Sequence, residues 1–320
     1  MIYLELAGGL ILLVLGAELL VRGSVGIARR LGVSPLLIGL TLVGFGTSSP
    51  ELVASVTAAL KGSSGIAVGN VVGSNICNVL LILGLSALFM PLAITRAAFL
   101  RDGPVLIAVT VALLAVCFWG DLPRWVGLVF VGLLLAYIVW CYRTERQSPA
   151  EAAHVHEQAA TVPAFGGSLT FGIGVSIAGL VLLVGGAYLL VGAAMELARD
   201  IGISETIIGL TVVAVGTSLP ELATSVVAAA RGQSDVAFGN VVGSNIYNVL
   251  GILGITALVQ PVPVPREIVF FDIWVMAGSS VLLVVFAMTG WRISRWEGGL
   301  FVAGYAAYIG TLIGFGIGSV

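Results

Sequence analysis

Two short runs place carboxylates where apolar side chains are the rule. Gly46-Thr47-Ser48-Ser49-Pro50-Glu51 lies in the middle of one apolar stretch, and Gly216-Thr217-Ser218-Leu219-Pro220-Glu221 in the middle of another. An ionisable side chain at the centre of a bilayer costs about 3 kcal/mol on insertion scales, so one found there points to function. Glu51 and Glu221 are therefore the first candidates for chemistry. Pro50 offers no backbone N–H and pushes against the carbonyl four residues back, near Gly46. The helix is predicted to break there and free carbonyls around Gly44 and Thr47, and likewise around Ala214, Thr217 and Pro220. Freed carbonyls at a half-helix end are suitable cation ligands. Thr47 and Glu51 are four residues apart, which puts hydroxyl and carboxylate on one face.

The second signal is Gly69-Asn70-Val71-Val72-Gly73-Ser74-Asn75-Ile76-Cys77-Asn78, which returns as Gly239 to Asn248 with Tyr247 in place of Cys77. Gly69 and Gly73 allow close helix contact. Asn70, Ser74 and Asn78 recur every fourth residue and share a helical face of neutral oxygens. Every candidate ligand is thus an oxygen, which suits hard cations such as calcium, magnesium, manganese or sodium rather than zinc or copper. Two glutamates match one divalent ion or two monovalent ones, a physical basis for competition and exchange. An enzyme is not indicated, because no nucleophile–base pair or cofactor loop accompanies these residues.

The elements that position these residues must be membrane helices. Of the 320 residues 59% are hydrophobic and 9% charged, with a mean hydropathy of +1.13. Soluble chains carry about 25% charged residues. Apolar segments fall near 3–28, 34–60, 66–89, 103–119, 124–142, 168–198, 204–230, 236–259, 268–289 and 296–318. The reading is an all-α polytopic membrane protein with ten transmembrane helices. The net charge of -2 offers no basic patch for nucleic acid. MIYLELAGG lacks a basic n-region, so the first apolar stretch reads as a retained helix. Cys77, Cys117 and Cys141 have no metal or disulfide spacing and read as apolar filler.

The chain is also one unit written twice. At an offset of 170 residues, about 34 of the 53 pairs between 36–88 and 206–258 are identical by direct count. The organisation is a first five-helix repeat over 1–142, a polar cytoplasmic linker over 143–167 and a second repeat over 168–320. Five spans per repeat force the second to enter from the opposite side, so the repeats are inverted. With both termini outside, 10 basic residues face the cytoplasm and 4 face out, which fits the positive-inside rule.

The paired GTSSPE and GTSLPE with paired GNVVGSNIxN resemble the sodium/calcium exchangers of the calcium/cation antiporter superfamily, of prokaryotic type, over essentially the whole chain. The resemblance implies a secondary active antiporter in the cell membrane that exchanges sodium for calcium by alternating access, works as a monomer and needs no cofactor. Position by position, it implies that Glu51 and Glu221 bridge a central ion with the carbonyls of Thr47 and Thr217. Gly44, Thr47, Ser48 and Ser244 would line one flanking sodium site. Ala214, Thr217, Ser218 and Ser74 would line the other, with Asn78 and Asn248 beside the centre. Some relatives carry Asp at the position of Asn248, and potassium-dependent exchangers carry an acid there, so this Asn argues against potassium co-transport. The alternative is exchange of calcium, or another divalent cation, for protons.

Other polar residues have plainer readings. Asn75 and Asn245 serve interhelical hydrogen bonding or ion contact equally well. Asn70 and Asn240 read as helix caps or ion-facing groups. Glu18, whose counterpart is Tyr188, reads as an interfacial or packing residue. Asp102 and Asp272 read as helix-start residues favoured by the dipole. His154 and His156 lie in the solvated linker, with no third ligand near.

Overall fold

The computed structural model describes residues 2–33, 35–146, 168–200, 214–266 and 268–318. Most of the linker and the first part of the seventh apolar segment lie outside these residues. The described chain is almost entirely helical. It runs α1 (Ile2–Leu31), α2 (Pro35–Ile38), α3 (Gly44–Thr47), α4 (Ser49–Leu60), α5 (Ser64–Ile76), α6 (Gly84–Phe89), α7 (Arg96–Trp119) and α8 (Arg124–Arg146) in the first half. The second half runs α9 (Leu169–Asp200), α10 (Ala214–Thr217), α11 (Leu219–Ala230), α12 (Ser234–Tyr247), α13 (Gly254–Val259), α14 (Ile273–Met288) and α15 (Arg295–Gly318). Wider π-helical turns join several of these, at Gly39–Val43, Cys77–Leu83, Asn248–Leu253 and Ile268–Asp272.

Among the described residues, 7 helices are long and apolar enough to cross a membrane. The second apolar segment is not among them because the break at Ser48 divides it into two shorter pieces. The seventh contributes only its second half, α11. Much of the outer surface is apolar: Leu128, Val181 and Phe270 are all well exposed. A bilayer covers such a belt without cost.

The centre of the molecule is α5 and α12, each continued through its π turn into α6 or α13. Over these stretches 78% and 89% of the residues are buried, against about a third for the other candidate spans. They are the hub on which the broken helices rest. Two short antiparallel pairings tie the halves together at their loops. β1 (Leu92–Ala93) pairs with β4 (Arg292–Ile293), and β2 (Asp121–Leu122) pairs with β3 (Val262–Pro263). Leu92 opposes Ile293 and Leu122 opposes Val262, so each strand pairs with the non-equivalent strand of the other repeat.

Helices α1 and α9 form a long pair that packs against α2, α10 and α11. Gly9 faces Gly186, Gly16 faces Gly179 and Gly23 faces Gly172, so the pair is antiparallel with glycine every seventh residue. A methyl group on Gly16 would stand 2.6 Å from the Leu183 nitrogen and 2.7 Å from the Gly179 carbonyl. Only hydrogen fits at that spacing, as at other close membrane-helix contacts.

Candidate cation site

The site is assembled from two helix breaks. Ser48 belongs to neither α3 nor α4, with φ -83° and ψ 7°, and Ser218 repeats this between α10 and α11 with φ -90° and ψ 9°. Pro50 and Pro220 stand in the first turns that follow, where a missing N–H is harmless to the new helix. That missing N–H removes the usual partner of the Gly46 carbonyl, which a backbone N–H at the cap replaces. Each proline therefore ends one half-helix and starts another, and the glutamate next to it faces the break. One correction follows for the predicted free carbonyls. The Gly44 carbonyl accepts from the Ser48 N–H at 3.1 Å and from Thr47 Oγ1 at 3.4 Å, and the Gly46 carbonyl accepts a backbone N–H at the cap, so neither is free.

Glu51 and Glu221 are each 1% exposed, and each is held by the opposite half. Ser48 Oγ donates to Glu221 Oε1 at 2.7 Å. Ser218 Oγ donates to Glu51 Oε1 at 3.3 Å. Behind them, Asn70 Nδ2 donates to the Glu51 carbonyl at 3.1 Å and to Ser55 Oγ at 2.9 Å. Asn240 Nδ2 does the same to the Glu221 carbonyl at 3.3 Å and Ser225 Oγ at 2.9 Å. Asn70 and Asn240 lie well inside α5 and α12 and cap neither. Their work is to fix the first turn of α4 and α11, and with it the glutamate. Thr47 Oγ1 also donates to Asn240 Oδ1, at 3.3 Å.

The two hub helices lock to each other through asparagine. Asn78 Nδ2 donates to Asn245 Oδ1 at 3.0 Å, and Asn248 Nδ2 donates to Asn75 Oδ1 at 2.9 Å. The amide nitrogens of Asn78 and Asn248 are thereby used and their carbonyl oxygens left over. Five buried oxygens around the breaks accept no hydrogen bond: Glu51 Oε2, Glu221 Oε2, Asn78 Oδ1, Asn248 Oδ1 and Ser244 Oγ. A buried acceptor without a partner costs about 1–3 kcal/mol, more if charged. Five of them at one locus, with no buried cation beside them among the described residues, form an oxygen-lined seat of negative charge.

The structure brings most of the predicted set to this locus. Gly44 packs against Ser244, whose nitrogen lies 3.3 Å from the place a Gly44 Cβ would take. Ser74 and Thr217 line one cavity of about 410 Å³ that opens past Ile66. The side chain of Ala214 lies outside what the structure describes, although its backbone starts α10. Asn75 and Asn245 take the interhelical role. Ser55 and Ser225 escaped sequence reasoning, although their identity across the two repeats was a usable signal.

Three plainer readings change. Glu18 is no packing residue: it forms ion pairs with Arg22 and with Arg231, the latter at 2.7 Å. Asp102 lies inside α7 and caps nothing, because Arg101 and Tyr137 take its oxygens. Asp272 precedes α14 without a side-chain cap bond and accepts instead from Tyr308 at 2.8 Å.

Among the described residues the two ends of the molecule differ. A cavity of about 640 Å³ lies between α4 and Val184 of α9 and reaches from Lys61 down to Ser49 and Pro50. The cavity lined by Ile66, Ser74 and Thr217 lies toward the same end. At the other end α1 packs on α11, and Arg231, the repeat counterpart of Lys61, is clamped to Glu18.

Comparison with known proteins now decides the family. The family described as sodium/calcium exchanger protein matches residues 2–143 and 171–314. The chain belongs to the sodium/calcium exchanger family. It is similar to the sodium/calcium exchanger MaX1 of Methanosarcina acetivorans, 37% identical over 342 residues covering 97% of this chain and 98% of that one. It is similar to the inner membrane protein YrbG of Escherichia coli, 35% identical over 310 residues covering 95% and 94%. Its structure resembles the sodium-calcium exchanger NCX_Mj soaked with 2.5 mM Na+ and 0.1 mM Ca2+, with a TM-score of 0.82 and 34% identity over 96% and 97% of the two chains. Membership makes this sodium/calcium exchanger homologue a multi-pass membrane cation antiporter.

Proposed function

We propose that the protein exchanges sodium for calcium across a cell membrane by alternating access at the Glu51–Glu221 site. The observation that carries this reading is the reciprocal clasp, in which each break serine holds the other half's glutamate while five oxygens stay free for ions. Calcium would lie between Glu51 and Glu221 with the carbonyls of Thr47 and Thr217, since it accepts six to eight flexible oxygen ligands. Sodium ions would take the flanking positions, one lined by Gly44, Thr47, Ser48 and Ser244, the other by Ala214, Thr217, Ser218 and Ser74. Asn78 and Asn248 border the centre. Two negative charges cannot be balanced fully by both kinds of ion at once, so each displaces the other.

Ten membrane segments in two inverted five-helix repeats fit the reciprocal contacts. The antiparallel run of α1 against α9, its own repeat counterpart, supports the inversion. In this reading both termini and Lys61 lie outside, the linker and Arg231 lie inside, and the structure stands open outward. A single chain holds the whole site, which supports action as a monomer.

Purified protein in vesicles tests this directly. Calcium uptake should appear only with an outward sodium gradient and should ignore added potassium. Uptake that follows a proton gradient and is indifferent to sodium would replace this reading with the calcium/proton alternative.

A further inference from the structure

The two repeats carry an aspartate at the same place and treat it differently. Asp102 is 1% exposed. Arg101 grips it with two bonds, Nε to Oδ1 at 2.7 Å and Nη2 to Oδ2 at 2.9 Å, and Tyr137 adds a third at 2.9 Å. Its charge is fully matched. In the second repeat the position of Arg101 is held by Phe271, which stacks on Tyr308 at 6.0 Å between ring centroids. Asp272 keeps the tyrosine bond, from Tyr308 at 2.8 Å, but has no arginine or lysine partner among the described residues. It lines the same cavity of about 410 Å³ as Ile66, Asn70, Ser74 and Thr217.

We propose that Asp272 is a cation-capture site on the wall of the Lys61-side entrance, where a hydrated divalent ion pauses before it reaches Glu51 and Glu221. The inference rests on the exchanger reading above. A lone carboxylate on a narrow, low-dielectric passage concentrates cations near it, and the attraction doubles for a divalent ion. Tyr308 fixes one oxygen by its hydrogen bond and leaves the second for the ion or its water. The Arg101 clamp removes this device from the equivalent place in the first repeat. The two faces of an otherwise duplicated molecule then differ in how well they collect calcium at low concentration.

The test is calcium-45 uptake in vesicles of known orientation, with calcium offered on either face at low ionic strength. Asp272→Asn should raise the apparent KM for calcium on the Lys61 face about threefold to tenfold, an effect of the size that charge focusing gives. It should change the sodium dependence less, leave kcat within about twofold and leave the other face alone. Added salt should shrink the difference as screening sets in. Phe271→Arg should reproduce the KM rise with the aspartate still present. Tyr308→Phe removes the hydrogen bond and keeps the charge, so its calcium KM should stay near wild type. An unchanged KM in Asp272→Asn would overturn the proposal, and so would equal losses of kcat and thermal stability in Asp272→Asn and Tyr308→Phe. Wild-type vesicles that show no sodium-dependent calcium uptake would instead refute the exchanger reading itself.

Discussion

At the residue scale the site is made of pairs that trade partners. Ser48 serves Glu221 and Ser218 serves Glu51, so neither half owns a complete site. Glutamine is close to glutamate in shape and retains an acceptor oxygen, so Glu51→Gln and Glu221→Gln should fold. Each removes one of the two charges that balance a divalent ion, and each should abolish calcium transport. Size-exclusion profiles alongside flux would show folded but inactive protein. Retained calcium exchange in either variant would remove that glutamate from the centre. The asparagines are legible only in part from sequence. Their spacing puts Asn70, Ser74 and Asn78 on one face, but hydrogen-bond partners on other helices decide that Asn70 braces α4 while Asn78 meets Asn245.

At the element scale, the structure depends on two different uses of glycine and proline. Proline with glycine breaks α3 from α4 and α10 from α11, which aims dipole ends and glutamates at one point. Glycine at heptad spacing instead lets α1 and α9 touch along their length. Gly16→Val would push a branched side chain into backbone 2.6 Å from its Cβ. Overpacking of this kind costs about 1–3 kcal/mol or more. The expected outcome is a lower thermal unfolding midpoint and loss of exchange, read by thermal unfolding in detergent and by calcium flux. Gly26, with nothing within 4 Å of a built Cβ, is the control: Gly26→Ala should be tolerated and mildly favour the helix. A Gly16→Val protein as stable and active as wild type would show that the pair separates readily.

At the scale of the whole molecule, duplication gives near-symmetry and a few substitutions break it. Glu18 and Arg231 close one end of α1 against α11, whereas their counterparts Tyr188 and Lys61 carry no opposite charges to pair. Tyr188 is 82% exposed. In the proposed alternating-access cycle, the clamp favours the form open at the Lys61 end. Glu18→Gln should weaken that preference and shift molecules toward the opposite form. Cys77 lines the Lys61-side cavity, so its modification by a membrane-impermeant thiol reagent reports how often that side is open. Labelling should slow in Glu18→Gln, and a rate equal to wild type would show that packing, not the ion pair, holds the closed end.

The sequence by itself determined the membrane character, the duplication and the two glutamates. Composition, a repeat period and a charge in an apolar run are local properties, readable without coordinates. It also located the helix breaks, because proline acts on the carbonyl four residues back wherever the chain goes. Only the tertiary structure decided the partners. That Ser48 clasps Glu221 rather than Glu51, that Asp102 is neutralised while Asp272 faces a cavity, and that Glu18 reaches Arg231 are contacts between distant residues. The distance along the chain is large, and hydrogen bonding and charge pairing act only over a few ångströms, so the fold had to bring the groups together before their roles could be read.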